Sequence, residues 1–231
     1  MISVLCVRFG TKYGKDYVEK LRNMVKRHLT LPYEFVCLTD DPTPIEGVRL
    51  IVCPQSEYPK LWWQKVHMFD PTLPLSGRIL YFDLDVVICR NINKLVQSCA
   101  QKDFYGIRDF NRKFHAGWTQ LNSSVMSWEK GYHPDVWTVF QHSKSSALKL
   151  HGDQDWIYKV ARSRITFWPD EYIMSYKWEL RERSELERVS GKLKFKTIRN
   201  PIVPKECCVA VFHGDPNPHD IPDPFVLDNW Q

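Results

Sequence analysis

Residues 81–88 read YFDLDVVI, which sets two carboxylates, Asp83 and Asp85, inside a run that otherwise reads as a buried strand. A charge carried into an apolar strand is costly unless it is paired or binds a metal. Side chains two apart along a strand point the same way, so Asp83 and Asp85 share a face if the strand stays extended, and a bend would re-aim one of them. Two carboxylates that close repel each other and raise one pKa. A divalent cation removes the conflict. Hard oxygen ligands with open coordination positions suit Mg²⁺ or Mn²⁺, which fill their shells with substrate phosphates. The pattern therefore points to a metal that joins protein to a phosphate ester or diphosphate. The structural alternative is a pair of surface carboxylates where a strand emerges into solvent.

Upstream of this stretch, ISVLCVRFG reads as a short apolar strand closed by Gly10. KDYVEKLRNMVKRHL then places Val18, Leu21, Met24, Val25 and Leu29 on one helical face. YEFVCLTDD and VRLIVCP read as strands, KLWWQKVHMF as a helix and GRILYFDLDVVI as one strand. Downstream, NINKLVQSCA reads as a short helix, FYGIRDF and LNSSVMSW as strands, HPDVWTVFQHS and DQDWIYKVARS as helices, and TFWPDEYIMSY and CVAVFHG as strands. Strand alternating with helix predicts an α/β domain with a mainly parallel sheet, whose ligands gather beyond the carboxyl ends of the strands. The charged segment 177–206 reads as a solvated excursion with a short helix. No repeat and no Gly/Ser-rich linker divides the chain, so 1–231 is expected to be one domain.

The composition narrows the function classes. A chain of 231 residues with 43% hydrophobic side chains can bury a substantial core. The net charge of +5 suits an anionic ligand or an acidic membrane surface, and without a dense Lys/Arg block it does not indicate nucleic acid. Seven cysteines, at 6, 37, 53, 89, 99, 207 and 208, lack C-x-x-C spacing and read as reduced thiols of a cytoplasmic protein. The first ten residues lack the pattern of a signal peptide, and no apolar run is long enough to cross a bilayer.

Two enzyme classes use an Asp-x-Asp strand: metal-dependent GT-A glycosyltransferases and haloacid-dehalogenase-like phosphatases. For the phosphatase, DLDVVI matches the first motif and GDPNPHD a later one, but that first motif belongs on the first strand and here three strand-like segments precede it. The remaining motifs favour the other class. Lys65 lies on a helix just before the Asp-x-Asp strand, Asn122 at the entry of LNSSVMSW, Asp153, Gln154 and Asp155 at the start of GDQDWIY, and His213 and Gly214 after the apolar VAVF. In this order, over residues 1 to about 220, the set resembles the glycogenin-like, family 8-like glycosyltransferases.

The resemblance implies a GT-A fold, Rossmann-like and α/β, with helices on both faces of a mainly parallel sheet. Residues 1–120 would be the nucleotide-binding half and 121–231 the donor-sugar and acceptor half. It implies Mn²⁺ or Mg²⁺ on Asp83, Asp85 and His213, with Leu84 and Gly214 beside the donor. Lys65 would lie near the donor phosphate or sugar, and Asn122 would line the sugar pocket. Asp153 would hold sugar hydroxyls and Gln154 would sit near the anomeric carbon. Val7 and Tyr13 would face the base, with Tyr13 stacking on uracil. The donor would be a nucleotide-diphosphate sugar, with uridine favoured, and the acceptor a glycan, a lipid-linked sugar or a protein. Retention of configuration is favoured; for inversion, Asp109, Asp153 and Asp155 are the candidate bases.

Two departures stand out. His213 and Gly214 are adjacent, where the family separates them by two residues, and Asn217 stands where the family has a phosphate-binding lysine. Lys65, Lys205 and His219 are the expected substitutes. Each motif also has a structural alternative: Asp153 as a helix N-cap, Asp155 as a first-turn acid, Asn122 as a turn residue and His213 as a strand-end cap. A non-catalytic sugar- or nucleotide-binding module with the same fold is the third reading.

Overall fold

The computed structural model describes residues 1–100 and 103–231. Its strands are β1 (Ile2–Arg8), β2 (Tyr33–Thr39), β3 (Arg49–Val52), β4 (Arg78–Phe82), β5 (Val86–Ile88), β6 (Phe104–Arg108), β7 (Leu121–Glu129), β8 (Ile165–Phe167), β9 (Ile173–Ser175), β10 (Leu186–Val189), β11 (Lys192–Phe195) and β12 (Val209–Val211). Its helices are α1 (Lys15–His28), α2 (Lys94–Gln97), α3 (Asp135–Ala147), α4 (Asp153–Ala161) and α5 (Pro224–Asn229), with a 3-10 segment over Leu61–Phe69.

Seven strands form one sheet in the order β3-β2-β1-β4-β7-β6-β8. Every adjacent pair is parallel except β4–β7 and β7–β6, so β7 alone runs against the rest. Buried runs explain the inner strands: Val4, Leu5 and Cys6 of β1 and Ile79, Leu80 and Phe82 of β4 lack solvent contact on either face. One face is covered by α1, whose Tyr17, Val18, Leu21, Met24 and Val25 are buried as their helical spacing predicts. The other face packs Trp63, Val66 and Phe69 of the 3-10 segment with Phe140 of α3 and Trp156 of α4.

A second sheet, β5-β12-β9, stands apart from the first, with β12 antiparallel to β5 and parallel to β9. It overturns the reading of GRILYFDLDVVI as one strand. β4 stays in the large sheet up to Phe82, the chain breaks over residues 83–85, and β5 pairs instead with β12. Both halves are buried and apolar, so the pattern alone reads straight through the break.

Three other expectations change. The segment 61–69 winds as a 3-10 helix. The stretch 166–176 is two short strands, β8 and β9, in different sheets. The excursion 177–206 is chiefly a β10–β11 hairpin, turning through Ser190 (φ 49°) and Gly191 (φ 83°), after a π-helical turn over Tyr176–Leu180. Positive φ at both turn positions matches the twist of a tight hairpin. No helix among the described residues is long and apolar enough to cross a membrane.

Candidate active site

The carboxyl ends of β1 and β4 open onto a cleft of about 690 Å³, counted out to its mouth. Val7 and Arg8 end β1, and Lys12 and Tyr13 follow in the loop to α1. Trp62 and Lys65 come from the 3-10 segment, and Asp83, Leu84 and Asp85 from the break between β4 and β5. Open α/β sheets bind ligands at this end.

Lys65 is the centre of one cluster. Its Nζ lies 3.0 Å from Asp83 Oδ1 and 3.2 Å from Asp153 Oδ2, and it donates to Ser123 Oγ at 2.9 Å. Ser123 Oγ in turn donates to Asp153 Oδ2 at 2.7 Å, and Tyr81 donates to Asp83 Oδ1 at 2.6 Å. Burial works against the Lys65 charge, but Asp153 and Asp83 outweigh it and hold the ammonium above its ordinary value. The fold makes this cluster possible because β7 runs backwards: its first residues lie beside the end of β4, where Asp83 N–H donates to Ser124 O at 2.8 Å.

Asp85 belongs to a second cluster. Tyr13 Oη donates to Asp85 Oδ2 at 2.9 Å and lies 3.4 Å from Asn217 Oδ1. Burial and then the charge of Asp83 push Asp85 up to about 7. The small sheet carries the loop after β12 to this point, since Val211 pairs with Val86 and with Ser175, and Phe212 N–H donates to Asp85 O at 3.0 Å. His213 follows. Its Nε2 is 2.7 Å from Ser175 Oγ, and its ring stacks on Phe110 and meets the edge of Trp178. Burial, then the charge of Lys177, lower it to about 3, so the imidazole is neutral at physiological pH.

The whole molecule can be compared with solved structures. It superposes on the galactosyltransferase LgtC, solved in complex with donor and acceptor sugar analogues, with a TM-score of 0.66 and 10% identity, over 94% of this chain and 88% of that one. The glycosyltransferase GlyE of Streptococcus pneumoniae matches at 0.63 and 13% identity, over 94% of this chain and 56% of that one. The bifunctional glycosyltransferase WbbM matches at 0.59 and 12%, over 94% and 46%. The chain has a GT-A glycosyltransferase fold. No protein-family model and no curated protein matches it by sequence, so the likeness is one of fold. The phosphatase reading gains no support.

Within this GT-A fold the expected residues do not all gather at one point. Val7, Tyr13, Lys65, Asp83, Leu84 and Asp85 all line the cleft. Asp153 pairs with Lys65 rather than capping α4, whose N-cap is Gly152. Gln154 and Asp155 occupy the first turn of α4, half-buried, without a side-chain hydrogen bond or ion pair among the described residues. Asn122 turns its Oδ1 back onto Ser124 N–H at 3.0 Å, and Asp109 caps the 3-10 turn Phe110–Lys113. The Asp83 and Asp85 side chains part at the break: one meets Lys65 and Tyr81, the other Tyr13.

Among the described residues, no three His, Cys, Asp or Glu side chains form a metal cage on their own. The donor types around the break, carboxylate oxygens and an imidazole nitrogen, are ones that a hard divalent ion accepts. Asp83 and Asp153 set two carboxylates around the Lys65 ammonium, Asp85 stands beside them under burial and the charge of Asp83, and His213 is a neutral nitrogen. Ser123, Tyr81, Ser175 and Lys177 are site residues that the sequence reading missed. Ser123 could have been found from its place beside Asn122; the others carry no local signal.

Proposed function

We propose that this protein is a metal-dependent glycosyltransferase. It moves a sugar from a nucleotide-diphosphate donor, a UDP-sugar in the first instance, to a glycan, a lipid-linked sugar or a protein. The observation that carries the reading is the Asp83-Leu84-Asp85 break at the carboxyl end of β4, opening on a cleft in a GT-A fold. The solved LgtC complex, with donor and acceptor sugar analogues, supports a sugar donor and a sugar acceptor.

Asp83, Asp85 and His213 would hold Mn²⁺ or Mg²⁺, and the bound ion would supply positive charge against the negative charge that builds on the departing diphosphate. Val7 and Tyr13 bound the base region, and Leu84 and Gly214 flank the phosphates. Lys65 holds Asp83 and Asp153 at fixed spacing, so one carboxylate toward the cation and one toward the sugar are set by the same cluster. Asn122 lines the sugar pocket. Asp153 takes sugar hydroxyls and Gln154 faces the anomeric carbon, an arrangement that favours retention. Asp155 is the alternative base if configuration inverts. All seven cysteines are free thiols, which supports a reducing, cytoplasmic setting.

Donor turnover tests the reading. UDP-, GDP- and dTDP-sugars are incubated with Mn²⁺ or with chelator, and the released nucleotide and the anomeric configuration of the product are measured. Metal-dependent release that is lost in Asp85→Ala is the expected result. Turnover indifferent to chelator and to Asp85→Ala sinks the proposed site. Tight donor binding without release points to the non-catalytic module, and cleavage of simple phosphate monoesters lost in Asp83→Asn points to the phosphatase.

A further inference from the structure

Four lysines and arginines are buried among the described residues: Lys65, Arg78, Lys177 and Arg181. Three have a carboxylate within ion-pair distance. Lys65 has Asp83 and Asp153, Arg78 has Glu129, and Arg181 has Glu185. Lys177, 6% exposed, has none among the described residues. The carboxylates of Asp215 and Asp85 act on its charge from beyond ion-pair distance, and a buried charge that is not directly paired is destabilising, so this position has room for an anion that pairs with the ammonium directly.

The surroundings say where that anion sits. Lys177 Nζ donates to the backbone carbonyls of His213 and Asp215, the latter at 2.7 Å. Carbonyls satisfy hydrogen bonds without neutralising charge. An ammonium has three donors, and these two bonds leave one over. Gly214 stands between the two carbonyls with φ of 67°, and a Cβ there would come within 3.6 Å of Nζ, so the residue facing the ammonium is the one without a side chain. The loop borders the cleft: Tyr13 spans Asp85 and Asn217, and Asp215 of the loop and then Asp85 lie close enough to Lys177 to interact with its charge.

The cations expected from the sequence to grip the phosphates are otherwise placed. Lys65 is committed to Asp83 and Asp153. His219 is hydrogen-bonded to Tyr17 and lies 3.4 Å from Asp220. Lys205 is exposed on the loop before Cys207. Asn217 itself caps the short turn Pro218–Asp220.

We infer that Lys177 grips the terminal phosphate of the nucleoside diphosphate, supplying from the π-helical turn after β9 the cation that Asn217 does not. The inference rests on the donor reading above. It makes Lys177 the residue that separates nucleoside diphosphate from monophosphate, since a monophosphate lacks the terminal phosphate that Lys177 would grip.

Calorimetric titration of UDP and UMP in the presence of Mn²⁺ tests it, with GDP/GMP and dTDP/dTMP run in parallel and the tightest pair carried forward. Lys177→Gln keeps a donor for the carbonyls but removes the charge. It is expected to weaken the diphosphate by about tenfold or more and the monophosphate by less than about threefold, the size of a lost charge-assisted bond. Lys177→Arg is expected to keep the preference. Equal weakening of both nucleotides shows that Lys177 only holds the loop and overturns the inference, as does an unchanged preference. So does loss of the preference in Lys12→Gln instead, since Lys12 is the other lysine beside the cleft mouth. If Lys177→Gln does not fold, amine-labelling footprints on the wild type read the same contact: UDP should shield Lys177 more than UMP does, and equal shielding contradicts it. A wild type that binds no nucleoside diphosphate of any base removes the donor reading itself, an outcome distinct from a defect confined to Lys177.

Discussion

At Lys65 one ammonium faces Asp83 and Asp153, with Ser123 bridging the lysine and the second aspartate. Two substitutions separate charge from hydrogen bonding there. Lys65→Met leaves two carboxylates without their counter-ion and is expected to cost about 3 to 5 kcal/mol by chemical denaturation. Ser123→Ala removes hydrogen bonds to charged partners and is expected to cost about 1.5 to 3 kcal/mol. Donor turnover should fall in both, because the same groups fix the spacing of the site. A Lys65→Met protein as stable as wild type would mean the carboxylates do not depend on it. At this scale the sequence was partly legible. Lys65, Asp83 and Asp153 could each be picked out, but their meeting is set by the reversed β7, which no local pattern reports. Lys177 was invisible because its significance is the absence of a carboxylate partner, a property of the packed chain alone.

Among the elements, α1 shows what periodicity can reveal. Its apolar spacing predicts the buried face, and Leu21 at its middle is fully buried. Leu21→Ala is expected to lower stability by about 2 to 5 kcal/mol, measured by denaturant midpoint. The break between β4 and β5 shows the opposite. A run of apolar residues looks the same whether it stays in one sheet or crosses to another, so the spacing of Asp83 and Asp85 was legible and their divergence was not. The β10–β11 hairpin carried a usable signal in the Ser190-Gly191 turn between alternating residues, masked by the density of charge around it. Between β2 and β3, Arg49 bridges to Glu34 at 2.9 Å, and this hydrogen bonding holds the Glu34 carboxyl below its ordinary value of 4.5. A carboxyl depressed in the folded state stabilises above its unfolded value, and that contribution is lost as pH falls through the folded one. Glu34→Gln should therefore be less stable than wild type at neutral pH, with the gap closing below about pH 4. A gap that persists in acid would show that Glu34 acts through packing instead.

For the molecule as a whole, the proposed function depends on two sheets meeting at one end. The seven-stranded sheet, with the 3-10 segment and α4 packed on it, presents Asp83, Lys65 and Asp153, and the three-stranded sheet delivers His213, Gly214 and the Lys177 contact to the neighbourhood of Asp85. The α/β class was legible from alternation of strand and helix, and the GT-A architecture from the order of short motifs along the chain. The second sheet was not, because its strands are three residues each and lie far apart in sequence. The central claim is that the break between β4 and β5 is a metal site for a nucleotide-sugar. Anomalous diffraction at the manganese edge, from crystals grown with UDP and Mn²⁺, tests it most directly. The account predicts one strong peak shared by Asp83, Asp85, His213 and the UDP diphosphate. Nucleotide bound in the cleft with no manganese at these residues would contradict it.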